Sequence, residues 1–170
     1  PASATLASAD NEGSIILWNL KTRQQLGQIK EHSDSSFGLA FSPDGQSLAS
    51  SDRDGVIMLW NLSSRPYQRR GQPLTGHTNS VLSLAFSPDG HLLASSSWDR
   101  TIILWDVEQR RQLDRLHGHA SAVREIAFSP DGQLLASAGG DDTAILWDVS
   151  VRHRMAAPVC EQSGAVTAVA

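Results

Sequence analysis

The sequence predicts an all-β chain made of repeated four-stranded antiparallel sheets. Three observations predict it: a motif set that recurs at near-constant spacing, short stretches of alternating hydrophobicity, and turn signals about every ten residues. Ser-Pro-Asp-Gly stands at 42–45, 87–90 and 129–132, and Leu-Ala-Ser opens at Leu6, Leu48, Leu93 and Leu135. Twelve residues after each Leu comes a tryptophan, Trp18, Trp60, Trp105 and Trp147, so the period is 42, 45 and 42 residues. Asn19, Asn61, Asp106 and Asp148 follow these tryptophans.

One copy accounts for four strands. Leu82, Leu84 and Phe86 alternate with Ser83 and Ala85, the period of a half-buried strand. Ser87-Pro88-Asp89-Gly90 then makes a tight turn, because Pro presets φ at its second position and Gly accepts positive φ at its fourth. Leu92 to Ser96 forms the second strand, Trp98-Asp99-Arg100 the next turn, Thr101 to Asp106 the third strand, and Gln112 to Leu116 a more polar fourth. The longer interval falls in the Ser63 to Pro73 connection, where Pro66, Gly71 and Pro73 mark a loop; the spacing from His to Trp stays at 28 in every complete copy. The insertion therefore lengthens a loop and shifts no strand.

Such a unit cannot bury both faces of its sheet alone, so copies have to stack face to face around an axis, as the blades of a propeller. The residues Gly76-His77, Ser87-Pro88-Asp89-Gly90, Leu93-Ala94-Ser95, Asp99 and Trp105-Asp106 recur as Gly118-His119 through Trp147-Asp148. In these motifs the chain resembles the WD-repeat (WD40) β-propeller family, and bacterial WD-repeat arrays in particular. The resemblance runs almost the full length. It implies four blades' worth of four-stranded sheets within one domain, residues 1–170, with copies at approximately 1–20, 21–62, 63–107 and 108–149 and a partial copy at 150–170.

Within each complete copy His, Ser, Asp and Trp keep fixed offsets: His32, Ser50, Asp54 and Trp60; His77, Ser95, Asp99 and Trp105; His119, Ser137, Asp141 and Trp147. Ser, His and Asp together suggest a hydrolase. Three near-identical copies argue against that, because one catalytic set with an oxyanion hole suffices, and no Gly-x-Ser-x-Gly elbow is present. The family resemblance implies a structural tetrad in each blade, tying the Trp-bearing strand to the Asp turn. The first copy departs from the pattern, with Glu12 where Asp belongs and its His position falling before Pro1. At the other end Glu161-Gln162 replaces Gly-His, and residues 165–170 read as the first strand of a further blade. An open arc of this kind would bare an apolar flank at each end, so these blades are expected to belong to a closed ring of about seven or to self-associate.

Composition limits the remaining function classes. A net charge of −4 does not suit a protein that neutralises many phosphates, so nucleic-acid binding is the lesser alternative. No apolar run approaches the ~18 residues of a membrane span, and the single Cys160 excludes an internal disulfide framework, which points to the cytoplasm. Asp52 with Asp54, and Asp141 with Asp142, place carboxylates together, but as ordinary turn formers without a twelve-residue calcium-loop pattern. His117 and His119 lack a third ligand, and Gly139-Gly140 lacks the Lys of a phosphate loop, so neither metal nor cofactor is expected.

Eleven of the fourteen Lys and Arg residues lie between a repeat Trp and the next Gly-His position: Lys21, Arg23, Lys30, Arg65, Arg69, Arg70, Arg110, Arg111, Arg115, Arg152 and Arg154. They are expected on the outermost strand and its preceding loop, where charge protects an exposed edge from pairing with other chains.

The resemblance also implies where a protein or peptide partner binds: the face formed by the His-bearing loops and the Asp turns. Its variable positions, three and five residues after His and one before Asp, are Ser35, Phe37 and Arg53; Ser80, Leu82 and Trp98; Ala122, Arg124 and Gly140; with Asn11 in the first copy. Aromatic and Arg side chains dominate interface hot spots, which singles out Phe37, Arg53, Trp98 and Arg124. The function expected is therefore a protein-interaction scaffold or sensor segment. In the bacterial arrays it resembles, propellers often follow a signalling ATPase domain, but no ATPase motif lies in these residues.

Overall fold

The computed structural model describes residues 4–30, 32, 35–151, 153–155, 160–161 and 164–169. Among them sixteen strands form four antiparallel sheets, without a helix. The first sheet has three strands, β1 (Thr5–Ala9), β2 (Ser14–Asn19) and β3 (Gln24–Lys30). The second runs β4 (Ser36–Phe41), β5 (Ser47–Asp52), β6 (Ile57–Asn61) and β7 (Gln68–Arg69). The third holds β8 (Val81–Phe86), β9 (Leu92–Ser97), β10 (Thr101–Asp106) and β11 (Arg111–His117). The fourth holds β12 (Val123–Phe128), β13 (Leu134–Gly139), β14 (Thr143–Asp148) and two short outer pieces, β15 (His153–Arg154) and β16 (Cys160–Glu161), both on β14. Consecutive strands pair as meanders, so each sheet is a continuous run of chain.

The Ser-Pro-Asp-Gly turns explain the tight β4–β5, β8–β9 and β12–β13 hairpins. In each, the Ser hydroxyl donates to the Asp carboxylate two residues on, and that carboxylate also accepts the amide two residues beyond it. The Ser hydroxyl bond, then the amide, holds Asp44, Asp89 and Asp131 below the ordinary carboxylate range. Gly132, at φ 74°, serves twice, since a Cβ there would stand 3.2 Å from Pro88 of the preceding turn.

Sheets stack through three apolar junctions, and each uses opposite faces of its two sheets. Ile15, Leu17 and Ile29 meet Leu48, Met58 and Trp60 between the first and second sheets. Ala49, Ile57 and Leu59 meet Val81, Leu93 and Trp105 at the next, and Ala94, Ile102 and Leu104 meet Val123, Leu135 and Trp147 at the third. The buried tryptophan therefore always looks back at the preceding sheet. Truncating Trp60, Trp105 or Trp147 to Ala removes the largest side chain of its junction, a change that costs about 3–5 kcal/mol. Among the described residues the two outer flanks are only partly covered: Leu6 is 49% exposed on the first sheet, and the half-buried Phe128, Leu134, Ala136 and Leu146 line a groove on the fourth.

The connection 63–73 absorbs the extra residues in loops on either side of the two-residue β7, so the outer strand is shorter here than the seven-residue β3 and β11. Leu74 then bonds in both directions with Ile57, restoring the register. Tyr67 from this connection packs on the backbone of the first sheet, where a Cβ at Gly27 would approach its ring to 2.7 Å.

Two expectations need correction. Residues 164–169 form no strand: a first strand requires a hairpin partner, and here only Val166 docks, buried, with its N–H donating to the Gly139 carbonyl. Arg115 does not stand on a solvated rim; it turns inward to the Thr101 hydroxyl and to Asp99, 3.4 Å away. Arg152 and Gln162 lie outside the described residues.

Two buried serines at equivalent positions differ in a testable way. Ser51 Oγ donates to the Val81 carbonyl of the next sheet and accepts the Gly38 amide, whereas Ser96 Oγ has no partner among the described residues. A buried hydroxyl without a partner costs stability, and one with partners contributes about 1 kcal/mol. In urea titrations Ser51→Ala is expected to destabilise by about 1–2 kcal/mol, and Ser96→Ala to leave stability unchanged or raise it by up to about 1 kcal/mol.

Candidate functional site

Each tetrad draws on a loop, a strand, a turn and a second strand. In the third sheet the Trp105 indole N–H on β10 donates to Ser95 Oγ on β9 at 2.8 Å, and the same oxygen lies 2.8 Å from His77 Nε2. His77 Nδ1 faces Asp99 on the β9–β10 turn, also at 2.8 Å. The fourth sheet repeats this with Trp147, Ser137, His119 and Asp141 at 2.8, 2.7 and 3.0 Å. An imidazole that donates Nδ1–H to a carboxylate presents Nε2 as an acceptor for the serine hydroxyl. Gly76 precedes His77 because the chain there crosses the Trp105 indole, leaving 3.1 Å to a Cβ.

In the second sheet the acid differs from expectation. His32 Nδ1 contacts Asp52 Oδ2 at 2.8 Å, not Asp54, while Ser50 and Trp60 take their expected places. Asp52 is buried and Asp54 exposed. The reason lies at the equivalent of Asp52 in the fourth sheet, Gly139, where a Cβ would collide with His119 Nδ1 and the Asp141 carboxylate. The two positions compete for one space beside the histidine. A small residue at the first, Gly139 or Ser97, admits the acid two residues later; an aspartate there fills the space itself, and its Oδ1 also takes the Val56 amide. Asp10 holds that first position in the first sheet and accepts the Ser14 amide in the same way, so the Glu12 departure is not a loss of the turn's acid. Trp18 still donates to Ser8 there at 2.9 Å.

Burial raises the Asp99 carboxyl, but hydrogen bonds from His77, Thr101 and the Thr78 amide outweigh it and hold it well below the ordinary range. Burial acts likewise on Asp141, and Thr143, the Ala120 amide and His119 bring it down to about 2. The three tetrad serines are 0% exposed, with hydroxyls held between indole and imidazole. A nucleophile in that position meets no substrate carbonyl. Among the described residues no three His, Cys, Asp or Glu side chains converge as metal ligands.

The other candidate residues gather at the edge where loops and turns meet. The amide of the residue before Asp54, Asp99 or Asp141 donates to the carbonyl three residues after His: Arg53 to Ser35, Trp98 to Ser80, Gly140 to Ala122, at 2.8–3.1 Å. Ser35 Oγ then donates to the Asn11 carbonyl and Ser80 Oγ to the Arg53 carbonyl, each at 3.1 Å, joining one sheet to the previous one. Residues five after His fall at register shifts. Val81 pairs Ser97 and Ser83 pairs Ser96, leaving Leu82 extra; Val123 pairs Gly139 and Glu125 pairs Ala138, leaving Arg124 extra; Phe37 lies in the Ser36/Leu39 shift. A bulge re-aims its side chain. Phe37 is 47% and Trp98 51% exposed; Arg53, Arg124 and Asn11 are exposed, and Leu82 is half-buried. Sequence reading missed Asp52 and Arg115, although two aspartates in one turn marked the first ambiguity.

Stacked four-stranded meanders, each with its own His–Ser–Trp bonding, define a segment of a β-propeller. The pattern of the WD domain, G-beta repeat, matches at residues 23–61, 68–106 and 110–148, more than half of the chain, which belongs to this WD40 family. A 44-residue stretch, 26% of the chain, is 43% identical to the mitotic checkpoint protein BUB3.3 of Arabidopsis thaliana and covers 14% of that protein's length. The chain thus spans a small part of the curated relative it matches. No helix among the described residues is long and apolar enough to cross a membrane.

Two outcomes test the acids. Asp52→Asn is expected to destabilise by about 2–3 kcal/mol in chemical denaturation, and Asp54→Asn by clearly less, because only Asp52 faces the buried His32. Asp141 has a folded pKa of about 2 against an ordinary 3.8, so its stabilisation is complete above the ordinary value and is lost as pH falls through 3.8 towards 2. Melting curves of Asp141→Asn should therefore show a shallower loss of Tm over that acid window than the parent chain.

Proposed function

We propose that this chain is a protein-interaction segment of a propeller, acting as scaffold or sensor without catalysis, and that its partner binds the face carrying Asn11, Phe37, Arg53, Leu82, Trp98 and Arg124. The observation that carries the reading is the exposure of Phe37 and Trp98 on a hydrogen-bonded backbone frame. Large apolar side chains held out by rigid turns and bulges contribute contact area at low entropic cost on binding. The WD40 family generally mediates protein–protein contact, which supports the same conclusion. A hydrolase reading is disfavoured by the burial of Ser50, Ser95 and Ser137. A nucleic-acid reading is disfavoured by the net charge and by the inward engagement of Arg115. A cytoplasmic setting completes the proposal, since the one cysteine leaves no internal disulfide to maintain.

Comparative affinity capture tests it. Trp98→Ala and Phe37→Ala are expected to lose the bound protein by roughly tenfold or more while keeping the parent's far-ultraviolet spectrum, and Arg111→Ala on the outer strand should retain it. Equal loss in all three variants, or unfolding of Trp98→Ala, contradicts the assignment.

A further inference from the structure

The three sheet junctions on this face are not alike. At the first, Ser35 Oγ closes on the Asn11 carbonyl, and at the second Ser80 Oγ closes on the Arg53 carbonyl. At the third the equivalent residue is Ala122, buried in the place Ser80 occupies but without a hydroxyl. The Trp98 carbonyl consequently receives no hydrogen bond among the described residues. Two junctions are sealed and one is open.

The open junction also differs in shape and charge. Its turn position is Gly140, where the other complete sheets carry Arg53 and Trp98, so a notch lined by Ser121 Oγ, 3.0 Å from where a Cβ would stand, replaces a side chain. Arg124 borders that notch: a Cβ on Gly140 would stand 3.5 Å from its Nε. The two strand bulges are tied across the junction, because Ser83, next to Leu82, donates to the carboxylate of Glu125, next to Arg124, at 2.8 Å. Of the fourteen Lys and Arg residues, the three outside the eleven placed between Trp and Gly-His are Arg53, Arg100 and Arg124. All three lie on these turns and bulges, and none of their guanidinium groups has a partner among the described residues. Asp54 and Asp142 share the turns, and Glu125 is engaged by Ser83.

Resting on the partner-face reading, we propose that the junction of the third and fourth sheets takes an extended acidic peptide. A backbone N–H of the peptide donates to the free Trp98 carbonyl. Its carboxylate accepts from the planar fork of Arg124, which suits two parallel bonds. The neighbouring apolar side chain lies on the exposed Trp98 indole and Leu82, where the aromatic ring supplies most of the contact.

The test uses the whole 170-residue chain on an array of acetylated hexapeptides with a central Phe-Glu, Phe-Gln, Phe-Lys or Ala-Glu pair among randomised positions. Phe-Glu peptides are expected to bind at least about tenfold more strongly than the other three sets. Arg124→Gln should abolish the preference for Glu over Gln. Ala122→Ser, which removes nothing, should weaken Phe-Glu binding roughly tenfold by supplying the hydroxyl that seals the Trp98 carbonyl, with the melting temperature unchanged or raised. Equal retention of Phe-Glu and Phe-Gln, or binding indifferent to Ala122→Ser, overturns the proposal. Retention of Phe-Gln or Phe-Lys peptides that Trp98→Ala abolishes overturns the acidic peptide while the partner face stands. Retention insensitive to Trp98→Ala removes both, and an empty array overturns the peptide site, leaving the face to the capture experiment.

Discussion

The hydrogen bond from the indole of Trp60, Trp105 or Trp147 to a fully buried serine is the contact on which each complete blade depends. It crosses from the third strand to the second, and the serine in turn holds the histidine of the entering loop. The histidine holds the acid of the turn. Loop, turn and two strands therefore share one set of polar groups that would be costly to bury unpaired. The indole itself lies against the preceding sheet, so the bonding within a blade also sets the surface through which blades stack.

That arrangement separates the buried polar network from the exposed turns and bulges. The polar groups best suited to chemistry are consumed inside the blades, and the turns and bulges they support are left to carry exposed side chains. Leu82 and Arg124 are extra residues in their strands, and Trp98 leads a turn whose own acid is tied inward. The face can vary in chemistry at little cost to the fold, because none of these side chains completes a junction. Variation in the backbone frame has another consequence. Replacing a serine by Ala122 opens one junction without disturbing the apolar packing beneath it.

Repetition made much of this legible in the residues. Strand positions and hairpin turns follow from a motif spaced at 42 or 45 residues, and the pairing of Trp with Ser is implied by the family that the motif resembles. The identity of the acid beside His32 did not follow, because both Asp52 and Asp54 satisfy the chemistry and only the space beside the imidazole decides between them. Arg115 resembled its neighbours on the outer strand, and its turn toward Asp99 is visible only once β11 lies against β10. The residues at 164–169 have a strand's alternation and no strand's partner.

By itself the sequence determined what is local and repeated: the fold class, the loop that absorbs the insertion, and the candidate tetrads and face positions, because fixed spacing along a chain translates directly into fixed places in a blade. Tertiary structure decided what depends on distances between segments far apart in the chain. Which of two aspartates meets His32 and which arginine turns inward are settled by the space between packed sheets, and spacing along the chain does not encode that space.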